Sequence, residues 1–133
     1  MTKASLDVAK IVAEGSAWMT VVHPVTNEET DAKIHLAGAD SEAFRKVERR
    51  IKNSRFSKLL KGNKNKPNIT AEELEENSLD LLVAVTLGWE NVLSNGQPLE
   101  FNEANVRTLY EDCAWLREQV DEFIGDRTNF LSS

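Results

Sequence analysis

The sequence predicts an α+β fold: a predominantly α-helical single domain, residues 1–133, with a small N-terminal β-hairpin. Three observations predict it. Residues about 17–37 read as strand, polar turn and strand, with β-branched and aromatic side chains on the first arm and polar–apolar alternation on the second. Three later segments, about 40–60, 70–87 and 102–124, carry apolar residues at three- and four-residue steps behind capping residues. No linker and no internal repeat divides the chain, whose 133 residues suit one hydrophobic core.

The elements follow in order. In residues 5–14, Leu6, Val8, Ile11 and Val12 form a rough helical stripe that Gly15 ends. Ala17 to His23 is the first strand; Pro24 and Thr26 to Glu29 make the turn; Asp31 to Leu36 alternates polar and apolar as the second strand. An isolated hairpin is marginal in water, so it must pack on the helices. Asp40 and Ser41 cap the next helix, with Phe44, Val47, Ile51, Leu59 and Leu60 on its buried side. Gly62 stops it, and residues 63–68 form a polar loop. The capping box Thr70-Ala71-Glu72-Glu73 opens a helix through Leu74, Leu81, Leu82, Val85 and Leu87, ended by Gly88. The connection from Gly88 to Phe101 contains the turn signal Asn95-Gly96 and Pro98. Asn102 caps the clearest helix, whose stripe runs Val106, Leu109, Tyr110, Cys113, Leu116, Val120, Phe123 and Ile124 up to Gly125.

With 41% hydrophobic and 29% charged residues, the composition is too apolar for a wholly disordered chain. It contains no apolar run of the ~20 residues a membrane span needs. No uninterrupted apolar region follows Lys3, so the N-terminus does not read as a signal peptide. Cys113 stands alone and cannot pair within the chain, which fits a reducing compartment, and its place on the apolar stripe makes it a core residue. His23 and His35 face each other across the expected hairpin but have no third soft ligand nearby. Glycines stand singly, carboxylate pairs such as Glu72-Glu73 and Glu111-Asp112 read as solvated faces, and no nucleophile sits in an activating context. The reading is of a non-enzymatic protein with no cofactor and no metal.

Charge is the strongest physical feature. Residues 45–66 carry +9, the residues before them −4 and those after them −11. Arg45, Arg49, Lys52 and Arg55 recur at three- and four-residue steps, as do Lys46 and Arg50, forming a basic band on one helix. Three uses compete: phosphate contacts, as in a nucleic-acid-associated regulator using residues 45–66; a plain solvated face; and an acidic protein surface, which the acidic remainder of a second copy supplies.

Other residues carry a resemblance. Gly88-Trp89-Glu90-Asn91-Val92, Asn95-Gly96-Gln97-Pro98-Leu99-Glu100-Phe101, Asn105 and the closing Asp126-Arg127-Thr128-Asn129-Phe130-Leu131 are similar to the tail assembly chaperones of long-tailed bacteriophages. His23-Pro24-Val25-Thr26 and Gly38-Ala39-Asp40-Ser41 before an Arg-rich helix agree with it, so the likeness runs from about Val21 to Leu131. The resemblance implies a protein of the host bacterial cytoplasm, absent from the finished virion. Its partners would be the tape measure protein and, mainly through a frameshifted longer form, the tail tube protein. Self-association is expected, and neither nucleic acid nor membrane is an expected partner. The residues singled out for partner binding are Arg45, Arg49, Arg50, Lys52 and Arg55, with Trp89, Val92, Leu93, Phe101, Phe130 and Leu131 as apolar contact surface.

Overall fold

A computed structural model describes residues 15–60 and 70–131. The helix expected over residues 5–14 and the loop expected over 63–68 lie outside the described residues.

Strand β1 (Ser16–Val22) pairs antiparallel with β2 (Glu29–Ala37), with Trp18 opposite His35 and Met19 opposite Ile34. Alternation decides which face is buried: Met19 and Val21 on β1 and Ile34 and Leu36 on β2 turn into the core. The turn between them closes on His23, whose N–H donates to the Glu28 carbonyl (2.9 Å) and whose Nδ1 accepts from the Val25 N–H (3.1 Å). Asn27 takes the left-handed conformation there, φ 58°, which asparagine tolerates. His23 and His35 therefore do not face each other. One shapes the turn, and the other lies along β2, stacked on Trp18 at 4.6 Å on the exposed face of the sheet.

The hairpin turns out to be two-thirds of a three-stranded sheet, ordered β1-β2-β3 and antiparallel throughout. Strand β3 (Thr86–Glu90) falls where the sequence suggested a helix ending near Leu87 and then a connection. The helix before it stops at Val85 because the Thr86 backbone is already extended, and the Thr86 Oγ1–H donates back to the Leu82 carbonyl at 2.7 Å. Leu87 is consequently exposed and not part of a buried helical stripe. Asn95 and Gly96, at φ 53° and 78°, make a two-residue turn between the short strands β4 (Leu93–Ser94) and β5 (Gln97–Pro98). Both turn residues sit at positive φ, the twist that two-residue hairpins favour.

Four α-helices are described: α1 (Glu42–Leu60), α2 (Ala71–Val85), α3 (Glu103–Asp112) and α4 (Ala114–Gly125). The N-termini of α1, α2 and α3 are capped as the sequence suggests. Ser41 Oγ accepts from the Phe44 N–H (3.2 Å), Thr70 Oγ1 from Glu73 (3.1 Å) and Asn102 Oδ1 from Asn105 (2.8 Å). The last predicted helix is broken in two at Cys113, φ −117° and ψ 79°. Its N–H still donates to Leu109 and its carbonyl accepts from Leu116 and Arg117, so one residue ends α3 and begins α4. Cys113 is half-buried at this joint, where burial first and Asp112 second push its thiol above the usual pKa.

The core joins the inner sheet face to Leu79, Leu82 and Val85 of α2, Val106 and Tyr110 of α3, and Leu116, Val120 and Ile124 of α4. Tyr110 is sealed inside it, its hydroxyl 2.8 Å from Thr86 Oγ1, and burial pushes its pKa up to about 12. Leu74, expected on the buried stripe of α2, is exposed at that helix's outer end. Gln119 of α4 reaches the outer edge of β1: its Oε1 accepts from the Val22 N–H (3.0 Å) and its Nε2–H donates to the Val22 carbonyl (2.8 Å). After α4, a short 3-10 turn (Arg127–Asn129) swings Phe130 into the core. Its ring meets Phe123 edge-on and lies over Gly38, where any Cβ would come within 3.0 Å of it. Phe130 is thus a core residue and not the exposed contact the sequence suggested. The side chain of Arg127 pairs with Asp40, holding that carboxyl below the usual carboxylate range.

Candidate functional site

Helix α1 is the least embedded of the four described α-helices. Phe44, Val47 and Ile51 are half-buried against the rest, and no residue of the helix is fully buried. From Lys52 to Leu60 every residue is exposed. The sequence explains this once the phase is followed past Ile51. The next positions on the packing face are Ser54, Arg55 and Lys58, which offer nothing apolar to hold the last turns against α2. Contact there is electrostatic: Arg50 reaches Asp80 at 3.1 Å and Lys58 reaches Glu73 at 3.8 Å.

The apolar residues of those turns point elsewhere. Arg45, Arg49, Lys52, Phe56 and Leu59 follow one another at steps of three and four, and Leu60 falls beside Leu59 on the same face. All six are exposed, Phe56 at 62% and Leu60 at 71%. Leu59 and Leu60, expected on the buried side, belong to this outward stripe. Burying one Phe or Leu contributes ~1.5–3 kcal/mol, a gain the described fold leaves unrealised at three adjacent positions. Single exposed apolar residues are ordinary, whereas three clustered on one face single out this end of α1 as the candidate contact surface.

The charges on the stripe are lightly held. Arg49 pairs with Glu42 (2.7 Å) and Lys52 with Glu48 (3.6 Å), both on α1 itself and both exposed. Arg49 keeps the Glu42 carboxyl below its ordinary pKa, chiefly by that hydrogen bond. Arg45 has no ion-pair partner within 4.0 Å among the described residues, nor has Arg55, which is exposed on the packing side and lies off the stripe. Exposed pairs contribute only ~0.2–1 kcal/mol, so these cations exchange partners readily. The carboxylates of α2 are more fully committed. Asp80 binds Arg107 (2.8 Å) as well as Arg50, Glu76 also binds Arg107, and Glu75 binds Arg117 (3.3 Å). Part of the acidic half thus neutralises cations of its own chain.

On the other side of α1, Arg50 and Val47 border a cleft of about 310 Å³ whose walls include Val83, Ala84, Val106 and Phe101. Phe101 keeps an exposed face there, and Trp89 buttresses it edge-on at 5.0 Å while donating its indole N–H to the Leu99 carbonyl at 2.9 Å. The structure therefore separates the sequence-predicted residues. Arg45, Arg49 and Lys52 share the outward stripe; Arg50 and Phe101 share the cleft, backed by Trp89; Phe130 is core, and half-buried Leu131 lies at the chain's anchor beside it. The sequence places Phe56 within the basic band but suggests Leu59 and Leu60 as buried residues, although their phase with Arg45, Arg49 and Lys52 puts them on the same outward face.

Among the described residues, no group of three His, Cys, Asp or Glu is placed to hold a metal ion. No helix among them is long and apolar enough to cross a membrane. Comparison of the chain with protein-family models, with curated proteins and with solved structures found no match.

Proposed function

We propose that this chain is a non-enzymatic tail assembly chaperone of a long-tailed bacteriophage, working in the host cytoplasm and absent from the mature virion. It binds the helical tape measure protein and keeps it soluble while tail tube subunits polymerise around it; a frameshifted longer form engages the tube protein. The observation that carries the reading is the outward stripe of α1, cationic and apolar on one exposed face. A long apolar helix aggregates unless covered, and helix-on-helix contact is the economical way to cover it. The charge split, +9 over residues 45–66 and −11 after them, supports weak self-association beside client binding.

Co-expression with the tape measure protein tests the reading. The wild-type chain should keep that protein in the soluble fraction and co-purify with it. R45E/R49E should lose it with unchanged circular dichroism, since surface substitutions usually shift stability by under ~0.5 kcal/mol. A tape measure protein that stays in the pellet beside abundant wild-type chain refutes the proposal. Sedimentation at low and high salt tests self-association, and a strict monomer in both at high concentration rules it out. A nucleic-acid-associated regulator using residues 45–66 would instead bind labelled DNA with a steep salt dependence. The residues outside 45–66 carry −15 and would repel the same polyanion, which counts against that use.

A further inference from the structure

We infer that the outward face of α1 takes one kind of partner: an amphipathic helix of about four turns, acidic along one half of its contact face and apolar along the other. The inference rests on the reading of the chain as a helix-covering chaperone and adds what the covered helix must look like.

The order of residues along the stripe carries it. Arg45, Arg49 and Lys52 occupy the half nearer the fold, and Phe56, Leu59 and Leu60 the half nearer the helix end. At ~1.5 Å per residue the stripe runs ~22 Å from Arg45 to Leu60, its cationic part ~10 Å and its apolar part ~6 Å. Charge and apolar character are therefore segregated along the stripe. A complementary helix lying along the stripe sets carboxylates over the guanidinium and ammonium groups and aliphatic side chains over Phe56 and the leucines. The cations are available for this exchange, because Arg49 and Lys52 hold only exposed carboxylates of their own helix. Of the α2 carboxylates behind them, Glu73 pairs with Lys58, Glu76 and Asp80 with Arg107, and Glu75 with Arg117.

Other occupants match less well. A helix lying on an anionic lipid surface needs apolar and cationic residues on opposite arcs of its circumference, so that one sinks while the other stays at the headgroups. Here Arg45, Arg49 and Lys52 share the arc of Phe56, Leu59 and Leu60, while Arg50 and Lys58 on other arcs pair with carboxylates of α2. A polyanion would use the cations and leave Phe56, Leu59 and Leu60 uncovered, against a chain whose net charge is −6. A second copy offers the exposed face of α4, where Trp115 stands alone among Glu118, Asp121 and Glu122 with no apolar half. That face competes for the stripe only weakly.

The test uses the full chain and three fluorescent helical peptides of equal length, followed by anisotropy at low and high salt. One peptide has a glutamate half and a leucine half. The second replaces glutamate by lysine, and the third shuffles the first so that the halves mix. The segregated acidic peptide should bind at least about tenfold tighter than either control, because several weak charge contacts and the apolar contacts act together, and salt should weaken it. R45E/R49E and F56S/L60S should each lose the preference while circular dichroism stays unchanged. Equal binding of the lysine peptide, equal binding of the shuffled peptide, or displacement of the first by anionic phospholipid vesicles overturns the inference. Running tape measure co-purification in parallel keeps the two proposals apart. Peptide preference without tape measure binding removes the tail-assembly reading alone, and tape measure binding without peptide preference removes this inference alone.

Discussion

Replacing Phe130 by alanine should lower the melting temperature by roughly 10 °C, and the figure follows from its surroundings. The ring is 5% exposed, meets Phe123 at 5.5 Å with planes 79° apart, and roofs Gly38. Truncating a core phenylalanine costs about 3–5 kcal/mol. Phe130 sits beside half-buried Leu131, where the chain can close over a void more easily than in the centre, so the low end, ~3 kcal/mol, applies. At ~2.1 cal/mol/K of unfolding entropy per residue, a chain of this length loses ~10 °C. Calorimetry, or thermal melting followed by circular dichroism, gives the number. The contact with Gly38 supplies an internal check. Gly38→Ala alone should destabilise, because its methyl would come within 3.0 Å of the ring, and most of that cost should vanish in the F130A background. A fall of less than about 3 °C for F130A, with G38A and F130A simply additive, would show that the ring does not occupy this site.

Two further outcomes are expected. Tyr110, with its pKa pushed up to about 12 against an unfolded value near 10, stays neutral in the folded state. Its contribution to stability is therefore complete below about pH 10 and is lost as pH rises towards 12, so alkaline unfolding should begin in that window and move in Y110F. Cys113, half-buried and with its thiol pKa raised first by burial and then by Asp112, should react with a thiol reagent more slowly in the native protein than in denaturant. Native labelling as fast as unfolded labelling would contradict the position of the α3–α4 joint.

Much of the fold was legible because its signals are local. The β-branched and aromatic run from Ala17 to His23 and the polar–apolar alternation from Asp31 to Leu36 mark the hairpin, while Ser41, Thr70 and Asn102 announce helix starts that their hydrogen bonds bear out. What escaped notice depends on distant partners or on phase. Strand β3 is a short run interrupted by Gly88, and only its pairing with β2, more than fifty residues earlier, makes it a strand. The break at Cys113 leaves the apolar spacing of Tyr110, Leu116 and Val120 undisturbed, so no change of pattern marks it. Leu59 and Leu60 were assigned inward because they are leucines, although Ser54, Arg55 and Lys58 occupy the packing face at that level. Phe130 read as a loose apolar end because the cavity over Gly38 that receives it is formed by a segment some ninety residues away. The basic residues were easy to list. Their division between stripe and cleft required α2 to be in place.

The amide of Gln119 has a consequence beyond the two hydrogen bonds it makes. Strand β1 lies at a border of the sheet, and Val22 offers there the N–H and C=O pair on which another extended chain would begin to template itself. A primary amide presents the same donor and acceptor as a peptide group, so Gln119 stands in for one residue of a missing strand and occupies the nucleation point. The register shift between Thr20 and Val22 twists the strand at the same place, so an incoming ladder would meet both a plug and a kink. A strand that adds at Val22 then has to break two native bonds before it makes new ones, which turns a spontaneous step at this point of the border into an activated one.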